Sequence, residues 1–556
     1  MKKIAIVIVL LIQLSLSVKS QFANAFQLET QLKKAIKIAY ASSVRIWGFD
    51  TVRRVQNSAQ FSGVVVDKTG TILSVSHAVQ PNKTYKVRFP DGREAIALSL
   101  GRIGLQEQDA RPDLAMLKIV GDEVWPSAEM GWSSSLKIDE PCIGISYPET
   151  LNQLLPTVRF GIIRNPINEA GFVHSTCKME PGDSGGPLFD YMGRVIGIHS
   201  RCLPEEDGNF EVPIDAYRKY WTALSIAKDY KILPTDHDEI TTDPIDGRIS
   251  TVPFAKHLEK SFSSLNRYQK SIVKIFSKTG SIEQVVEGTA FEINRMSYLV
   301  SKSSLVTDTA WIEQNNRKLN VRVLKRDNDN DLVLISLPIK LSGALAANML
   351  EPLSDFGAEN LGSFLISPLP GGLRVSMLSS MAIDMPKKFS AGFFGAGSVF
   401  RNGKVTVTRI IKGSPAEIIG VNIGDQIDSI NKIPMTSADK YNSEMNKYMP
   451  GEMLTLTMVR DGKQLNSRVT LGISPLAHHA ANKFKGGKSV RLDGFRQVFS
   501  HDAVIQPQEC GGPVFDSMGR FSGINIARFS RTSVIAVPTK TVAEFINRTL
   551  NIEPAK

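Results

Sequence analysis

Apolar positions gather first at the N-terminus, where Ile4 to Val18 is hydrophobic apart from Gln13, Ser15 and Ser17. Met1-Lys2-Lys3 supplies a positive start, and cleavage after Ser20 or Ala25 suits the small residues there. Residues 1–25 therefore read as a signal peptide, too short for a comfortable membrane span. Leu32, Ala35, Ile36, Ile38 and Ala39 then recur with lysines between them, which predicts an amphipathic helix over 27–41. Beyond it the pattern changes to short alternating runs broken by Gly, Pro, Asn and Asp, the mark of many short strands. Helical spacing returns over 216–226. Residues 229–253 turn polar around Pro234, Pro244 and Pro253 and read as a linker. No later segment reaches about 18 apolar residues, so a stable membrane span is not expected.

At 556 residues the chain predicts several domains, and 42% hydrophobic with 22% charged residues fits globular folds rather than disorder. Lys plus Arg exceed Asp plus Glu by 11. That charge is dispersed, with no dense basic run interleaved with aromatics, so nucleic acid is not an expected partner. Only four cysteines occur, so disulfides do not build the fold. No Cys/His spacing suggests a metal, and His478 and His479 read as solvent-facing. No metal or organic cofactor is expected.

The chemistry concentrates in Glu180-Pro181-Gly182-Asp183-Ser184-Gly185-Gly186-Pro187. A serine hydroxyl needs a base to take its proton and donors to hold an oxyanion. Glycines let the backbone turn sharply, and the amides of Gly182 and Ser184 are the candidate donors. His77, in Ser74-Val75-Ser76-His77-Ala78, is the candidate base; Asp113, in Arg111-Pro112-Asp113-Leu114-Ala115, is the residue to orient it. With Phe61–Asp67, Thr71–Ser74, Gly193–Ile198 and Val212–Ile214 as flanking strands, residues 60 to 215 resemble the trypsin-fold proteases of the HtrA/Deg type. That resemblance implies a Ser-His-Asp endopeptidase needing no cofactor and acting on unfolded or damaged exported proteins. The trypsin fold also places a residue six before the nucleophile, here Lys178, at the base of the pocket for the side chain preceding the scissile bond. Ser200 lies on the strand opposite. Lys178 either favours acidic substrates there or turns to solvent beside an apolar pocket. Cys177 and Cys202 flank the nucleophile, and a bridge or two free thiols both remain open.

The chain then repeats itself. Gly288–Ile293 and Ser297–Val306 retrace Phe61–Val79, with Ser304 where His77 stands. Asp329–Leu334 retraces the Asp113 segment through Asp331, and Gln506–Arg520 retraces Glu180–Arg194 with Cys510 in the serine position and Gln508 in the oxyanion position. The second copy thus resembles a degenerate trypsin-like domain without a base. Between its halves, Gly413-Ser414-Pro415-Ala416-Glu417 and Gly424-Asp425-Gln426-Ile427, flanked by the alternating runs Val405–Ile410 and Leu454–Val459, resemble the bacterial PDZ signature. The resemblance makes Gly392, Phe393, Phe394 and Gly395 its carboxylate-binding loop, where a peptide C-terminus would add a strand to the sheet edge.

These readings combine into a mainly β protein of two chymotrypsin-like double β-barrel domains plus one PDZ domain. The expected layout is 1–25 signal peptide, 27–226 protease domain, 227–262 linker, 263–390 and 474–550 the two parts of the degenerate domain, and 391–473 the inserted PDZ domain. A periplasmic or secreted bacterial endopeptidase follows, with unfolded or C-terminal peptide segments as partners and a homo-oligomer compatible with the family. A peptide-binding holdase without cleavage and a dedicated processing protease are the rival readings.

Overall fold

The computed structural model describes residues 24–104, 112–149, 151, 154–245, 258–279, 282–351, 356–387, 390–472 and 484–552. Nearly all of the expected signal peptide, together with His478 and His479, lies outside the described residues. Five sheets form among those described. In the first, Ser43–Asp50, Val55–Val65, Thr71–Ser74, Thr84–Arg88, Glu94–Ile103 and Leu114–Ile119 close into a barrel, because Glu94–Ile103 pairs both with Thr84–Arg88 and with Leu114–Ile119. The second is a closed barrel of six strands running from Pro141–Ser146 to Asn209–Pro213. Alternation explains both, since one face of each strand meets a core such as Val44, Ile46, Val65, Ile72, Val87 and Leu117. The hairpin before His77 has its own turn chemistry. The Asp67 carboxylate accepts from the amides of Thr69 at 2.9 Å and Thr71 at 3.1 Å.

The second copy is built from two further sheets. Its first, running from Ile272–Thr279 to Leu332–Ser336 with Leu345–Ala346 added, has eight strands and stays an open half-barrel among the described residues. Its second sheet has seven strands drawn from two distant stretches. Phe364–Leu369, Gly372–Met377 and Ile383–Met385 come from one, and Phe495–His501, Pro513–Asp516, Phe521–Arg528 and Val534–Pro538 from the other. Leu365 pairs with Asp516 and Ile383 with Val498 across the gap. Between these stretches the fifth sheet, Ala396–Arg401 to Lys463–Thr470, encloses its own core of Val405, Val407, Ile427, Leu454 and Leu456. The chain enters and leaves it at one point, where Phe393 and Gly472 exchange backbone hydrogen bonds of 2.8 and 2.9 Å.

Two local expectations change. The first helix spans 24–39 and buries Leu28, Leu32, Ala35, Ile36 and Ala39, but leaves Ile38 exposed. Its stripe packs on both copies: Glu29 accepts from the Phe364 amide at 3.0 Å, and Lys33 donates to Ser363 at 3.3 Å. The polar stretch 229–253 is in part structured, because Asp229–Tyr230 pairs in parallel with Glu94–Ile103, and buried Asp243 holds Arg194 at 3.1 Å. The two copies also share one core, in which Ile143, Phe189 and Val195 of the first meet Phe364, Ile366 and Met377 of the second. Phe160 packs edge-on to Phe364 at 5.5 Å.

Because Phe393 and Gly472 already touch, replacing residues 394–471 by a short Gly/Ser linker should leave both copies folded. The thermal midpoint of the remainder should stay within about 4 °C of the full chain, roughly the effect of 1 kcal/mol. Calorimetry checks this, and a much larger fall would show that the fifth sheet braces the second copy.

Candidate active site

His77 follows the strand Thr71–Ser74, and Asp113 immediately precedes the strand Leu114–Ile119 paired with it. Strand pairing thus brings together two residues far apart in sequence. His77 Nδ1 lies 2.7 Å from Asp113 Oδ2, with the imidazole 49% exposed and the carboxylate 8% exposed. Asp113 also accepts from Ser76 Oγ at 2.7 Å, the His77 amide at 3.1 Å and Ser200 Oγ at 2.7 Å. Burial alone would raise its carboxyl. The hydrogen bonds from His77, Ser76 and Ser200 outweigh that and bring it down to about 2. An ionised Asp113 accepts the Nδ1 proton and leaves Nε2 as the basic nitrogen. The Ser200 hydroxyl is thus engaged by Asp113, a different task from the substrate contact expected of it.

Ser184 sits in a loop held from several sides. Its carbonyl accepts from the Ser62 amide at 2.9 Å, and the Gly185 amide donates to His199 at 2.8 Å. Gly182 adopts φ +97°, and an added Cβ would stand 2.5 Å from the Glu149 nitrogen, so the turn requires glycine. The strongest brace is a buried ion pair. Arg159 Nη1 is 2.6 Å from Asp183 Oδ2 and Nη2 is 3.0 Å from Oδ1, with the two side chains 1% and 0% exposed. Ser146 Oγ and the Glu180 amide complete the Asp183 carboxylate at 2.8 and 2.7 Å. The amides of Gly182 and Ser184 donate to no acceptor among the described residues.

His77, Gly182 and Ser184 open together onto a cavity of about 560 Å³. Met179, Pro181, Leu203 and Pro204 supply apolar wall, and Ser200 and Cys202 lie along it. Lys178 does not line this cavity. Its side chain is buried towards the second copy, where Nζ donates to the Asp502 carbonyl. Burial pushes the ammonium down and the nearby Asp502 carboxylate offsets it in part. Lys178 therefore neither floors the substrate pocket nor faces solvent, because the neighbouring domain provides a partner that an isolated barrel lacks. All four cysteines are free thiols, so no bridge links Cys177 to Cys202. Among the described residues no cluster of His, Cys, Asp and Glu is placed to hold a metal ion.

The second copy assembles the corresponding positions differently. Asp331 accepts from the Ser304 amide at 2.7 Å and Ser304 Oγ at 2.8 Å, where the first copy has histidine. Lys302, which takes the place of Val75 in the repeat, donates to Asp331 at 2.7 Å and neutralises it. Cys510 is fully buried, and its amide donates to the Pro507 carbonyl at 3.3 Å within a 3₁₀ turn. Burial pushes its thiol up, with Lys302 as a smaller opposing influence. Cys510 thus has no exposed surface, no histidine at the base position and an amide already engaged. His501 lies in the same sheet with Nε2 2.8 Å from Asn525 Oδ1 and Nδ1 3.0 Å from Ser376 Oγ, a neutral core histidine. In the fifth sheet, Ala396–Arg401 is an edge strand. The amides of Gly392 and Phe393 already donate to Tyr448 and Gly472, both at 2.8 Å, which leaves Phe394 and Gly395 as the loop's remaining donors.

Sequence reasoning missed Arg159 and Lys302. Each had a signal: Arg159 is a charge inside the strand Thr157-Val158-Arg159-Phe160-Gly161, and Lys302 stands where its repeat partner is valine.

Arg159→Met leaves a buried carboxylate alone and should cost about 3–5 kcal/mol in urea unfolding. It should also lower peptide hydrolysis about 100-fold by loosening the oxyanion loop. Adding Asp183→Asn should recover much of the stability. A second expectation concerns pH. Burial pushes His501 down to about 4, whereas it titrates near 6.5 in the unfolded chain. The folded state thus refuses a proton that the unfolded chain accepts. Stability is unaffected by His501 above pH 6.5 and falls as pH drops towards 4, by about 3 kcal/mol in all. His501→Gln should flatten the slope of denaturation free energy over that window by this amount.

Residues 61–198 match the family described as trypsin-like peptidase domain, and residues 372–471 match the PDZ domain family. The PDZ match takes in the strand Gly372–Met377, which pairs with Phe364–Leu369 in the second copy rather than with the fifth sheet. A probable periplasmic serine endoprotease DegP-like from Hahella chejuensis is 26% identical over 422 residues, covering 72% of this chain and 78% of that one. A protein of the same description from Pseudomonas savastanoi pv. phaseolicola is 31% identical over 189 residues, 32% of this chain and 36% of its own. The putative serine protease HhoA of Synechocystis sp. is 31% identical over 180 residues, 30% of this chain and 43% of its own. Among solved structures, the serine endoprotease from Yersinia pestis overlaps with a TM-score of 0.28 at 16% identity, over 80% of this chain and 98% of that one. With trypsin-like and PDZ family matches in one polypeptide and one DegP-like relative aligned over 72% of it, the chain is similar to the HtrA/Deg-like serine proteases.

Proposed function

We propose that the chain is an exported endopeptidase in which Ser184 is the nucleophile, His77 its base and Asp113 the residue that orients the base. The observation that carries this is the His77–Asp113 pair opening onto one cavity with Ser184 and two unengaged amides. Ser184 Oγ attacks the peptide carbonyl while its proton passes to His77 Nε2. The imidazolium is stabilised by ionised Asp113, and the oxyanion is held by the Gly182 and Ser184 amides. His77 then returns the proton to the leaving amine. Water, activated by the same imidazole, hydrolyses the acyl-enzyme. No metal or organic cofactor takes part in this scheme.

The substrates we infer are unfolded or damaged exported proteins, recognised as extended segments. The mainly apolar walls, Met179, Pro181, Leu203 and Pro204, support side chains that folded proteins bury. The edge strand Ala396–Arg401 supports addition of a peptide C-terminus to the PDZ sheet. The layout we favour has 27–226 as the catalytic domain and 391–473 as the PDZ domain inserted between 263–390 and 474–550. Export to the periplasm agrees with the DegP-like relatives, and no helix among the described residues is long and apolar enough to cross a membrane.

Ser184→Ala and His77→Ala should each reduce casein hydrolysis by about 10⁴-fold or more without changing the thermal midpoint, since triad members act as a unit. A fluorophosphonate probe should label wild-type protein at Ser184 and leave Ser184→Ala unlabelled. Substantial hydrolysis by purified Ser184→Ala would sink the assignment.

A further inference from the structure

The cavity at Ser184 is not made by the catalytic domain alone. Phe484 and Arg531, both from the second trypsin-like copy, line it together with His77, Gly182 and Ser184. Arg531 is 1% exposed and reaches into the loop that follows the strand Val195–Cys202. Its Nη1 donates to the Leu203 carbonyl at 2.5 Å. Its Nη2 donates to the Glu205 carbonyl at 2.6 Å, the Glu206 carbonyl at 3.2 Å and Asn209 Oδ1 at 3.0 Å. Asn209 Oδ1 also accepts from the Met179 amide at 3.2 Å. One guanidinium therefore ties both walls of the pocket, the stretch before Ser184 and the stretch after Cys202, into a single frame.

Neighbouring groups hold that guanidinium in place. Arg528 Nη2 donates to the Arg531 carbonyl and pairs with Glu206, both at 3.1 Å. Phe484 lies under the Arg528 guanidinium at 5.2 Å and is itself 8% exposed. On the opposite wall, Glu180 is hydrogen-bonded to Ser530 of the second copy. Within its own barrel the loop Leu203–Gly208 is held by His174 Nε2, 2.6 Å from the Asp207 carbonyl, and by Asn209 Nδ2, which donates to the Glu206 carbonyl at 2.9 Å. Three further hydrogen bonds from buried Arg531, to the Leu203, Glu205 and Glu206 carbonyls, tie it to the second copy and fix its width.

We propose that the second trypsin-like copy is a specificity element of the first: Phe484 and Arg531 are specificity-determining residues that complete the pocket for an apolar substrate side chain next to the scissile bond. Phe484 supplies the apolar surface that limits the size of that side chain, and Arg531 positions the opposing loop. This rests on Ser184 being the nucleophile, and it explains what the copy does once its own site has lost a base.

The test uses the full-length chain and a peptide library in which the residue before the cut varies from Ala and Val to Leu and Phe. Rates are expressed per active site titrated with a fluorophosphonate probe, so that misfolded molecules are not counted. Phe484→Ala widens the pocket and should raise the kcat/KM ratio of large to small side chains by about 10-fold. Phe484→Trp narrows it and should move the same ratio in the opposite direction. Arg531→Gln should flatten the preference. Damage to folding alone would move the alanine and tryptophan variants together, and labelled-site ratios would not reverse. If wild type is labelled and both Phe484 variants keep its ratio, the proposal is wrong even if Arg531→Gln fails to fold. If wild type is not labelled at Ser184, the catalytic assignment falls and this inference with it.

Discussion

A guanidinium and a carboxylate sealed from water, Arg159 and Asp183, set the geometry on which the Ser184 loop depends. Neither charge tolerates burial alone, and the attraction between them is worth most at the short, two-pronged contact observed. The pair therefore acts less as a source of net stability than as a constraint. Asp183 has one place to be, and Gly182 and Ser184 on either side of it are positioned as a consequence. Trypsin-like zymogens supply the corresponding cation as a newly cut amino terminus. Here it is a side chain on the strand Thr157–Asn165, so the loop needs no cleavage to find its partner.

That strand also faces outward to the second copy. Residue Phe160, adjacent to Arg159, donates its amide to Asp502 at 2.7 Å, and Asp502 accepts in turn from the Met377 amide at 2.7 Å. Lys178 turns to the same residue. Two copies of one fold have thus diverged along complementary lines. One kept histidine, a loop with two unengaged amides and an open cavity. The other filled its base position with Ser304, neutralised Asp331 with Lys302 and buried Cys510, while its surface became wall and buttress for the first.

What could be read from the chain divides along the same physical line. Short motifs carry their chemistry locally, so the segments around His77, Asp113, Ser184 and Cys510 stand out without any knowledge of pairing. The repeat is visible because it preserves order and spacing. Phe484 and Arg531 act through partners reached only after the two copies have docked, so nothing adjacent in sequence marks them; Arg159 stands out as a charge inside a strand, but its partner Asp183 is reached only once strands have paired. Lys178 misleads for that reason: its offset from Ser184 describes one barrel, and Asp502 belongs to another. Ile38 fits a helical stripe in sequence yet projects into solvent, because the stripe is narrower than the apolar spacing suggests. The open third sheet has no counterpart in the repeat pattern, which records strands but not whether the last one meets the first.

The split origin of the fourth sheet has a bearing on how the molecule comes into being. Phe364–Leu369 finds its neighbour Pro513–Asp516 only after about 150 further residues exist. At typical rates of synthesis, roughly 5–20 residues per second, that strand waits on the order of ten seconds or more with an unpaired edge. The intervening residues are not idle, since the fifth sheet has its own core and its ends meet at Phe393 and Gly472. It can fold first and, by doing so, shorten the loop that must close. A sheet with its own core, lying between the two stretches of another sheet, thus becomes a timer and a clasp, delaying completion of that sheet and then holding its two stretches at bonding distance.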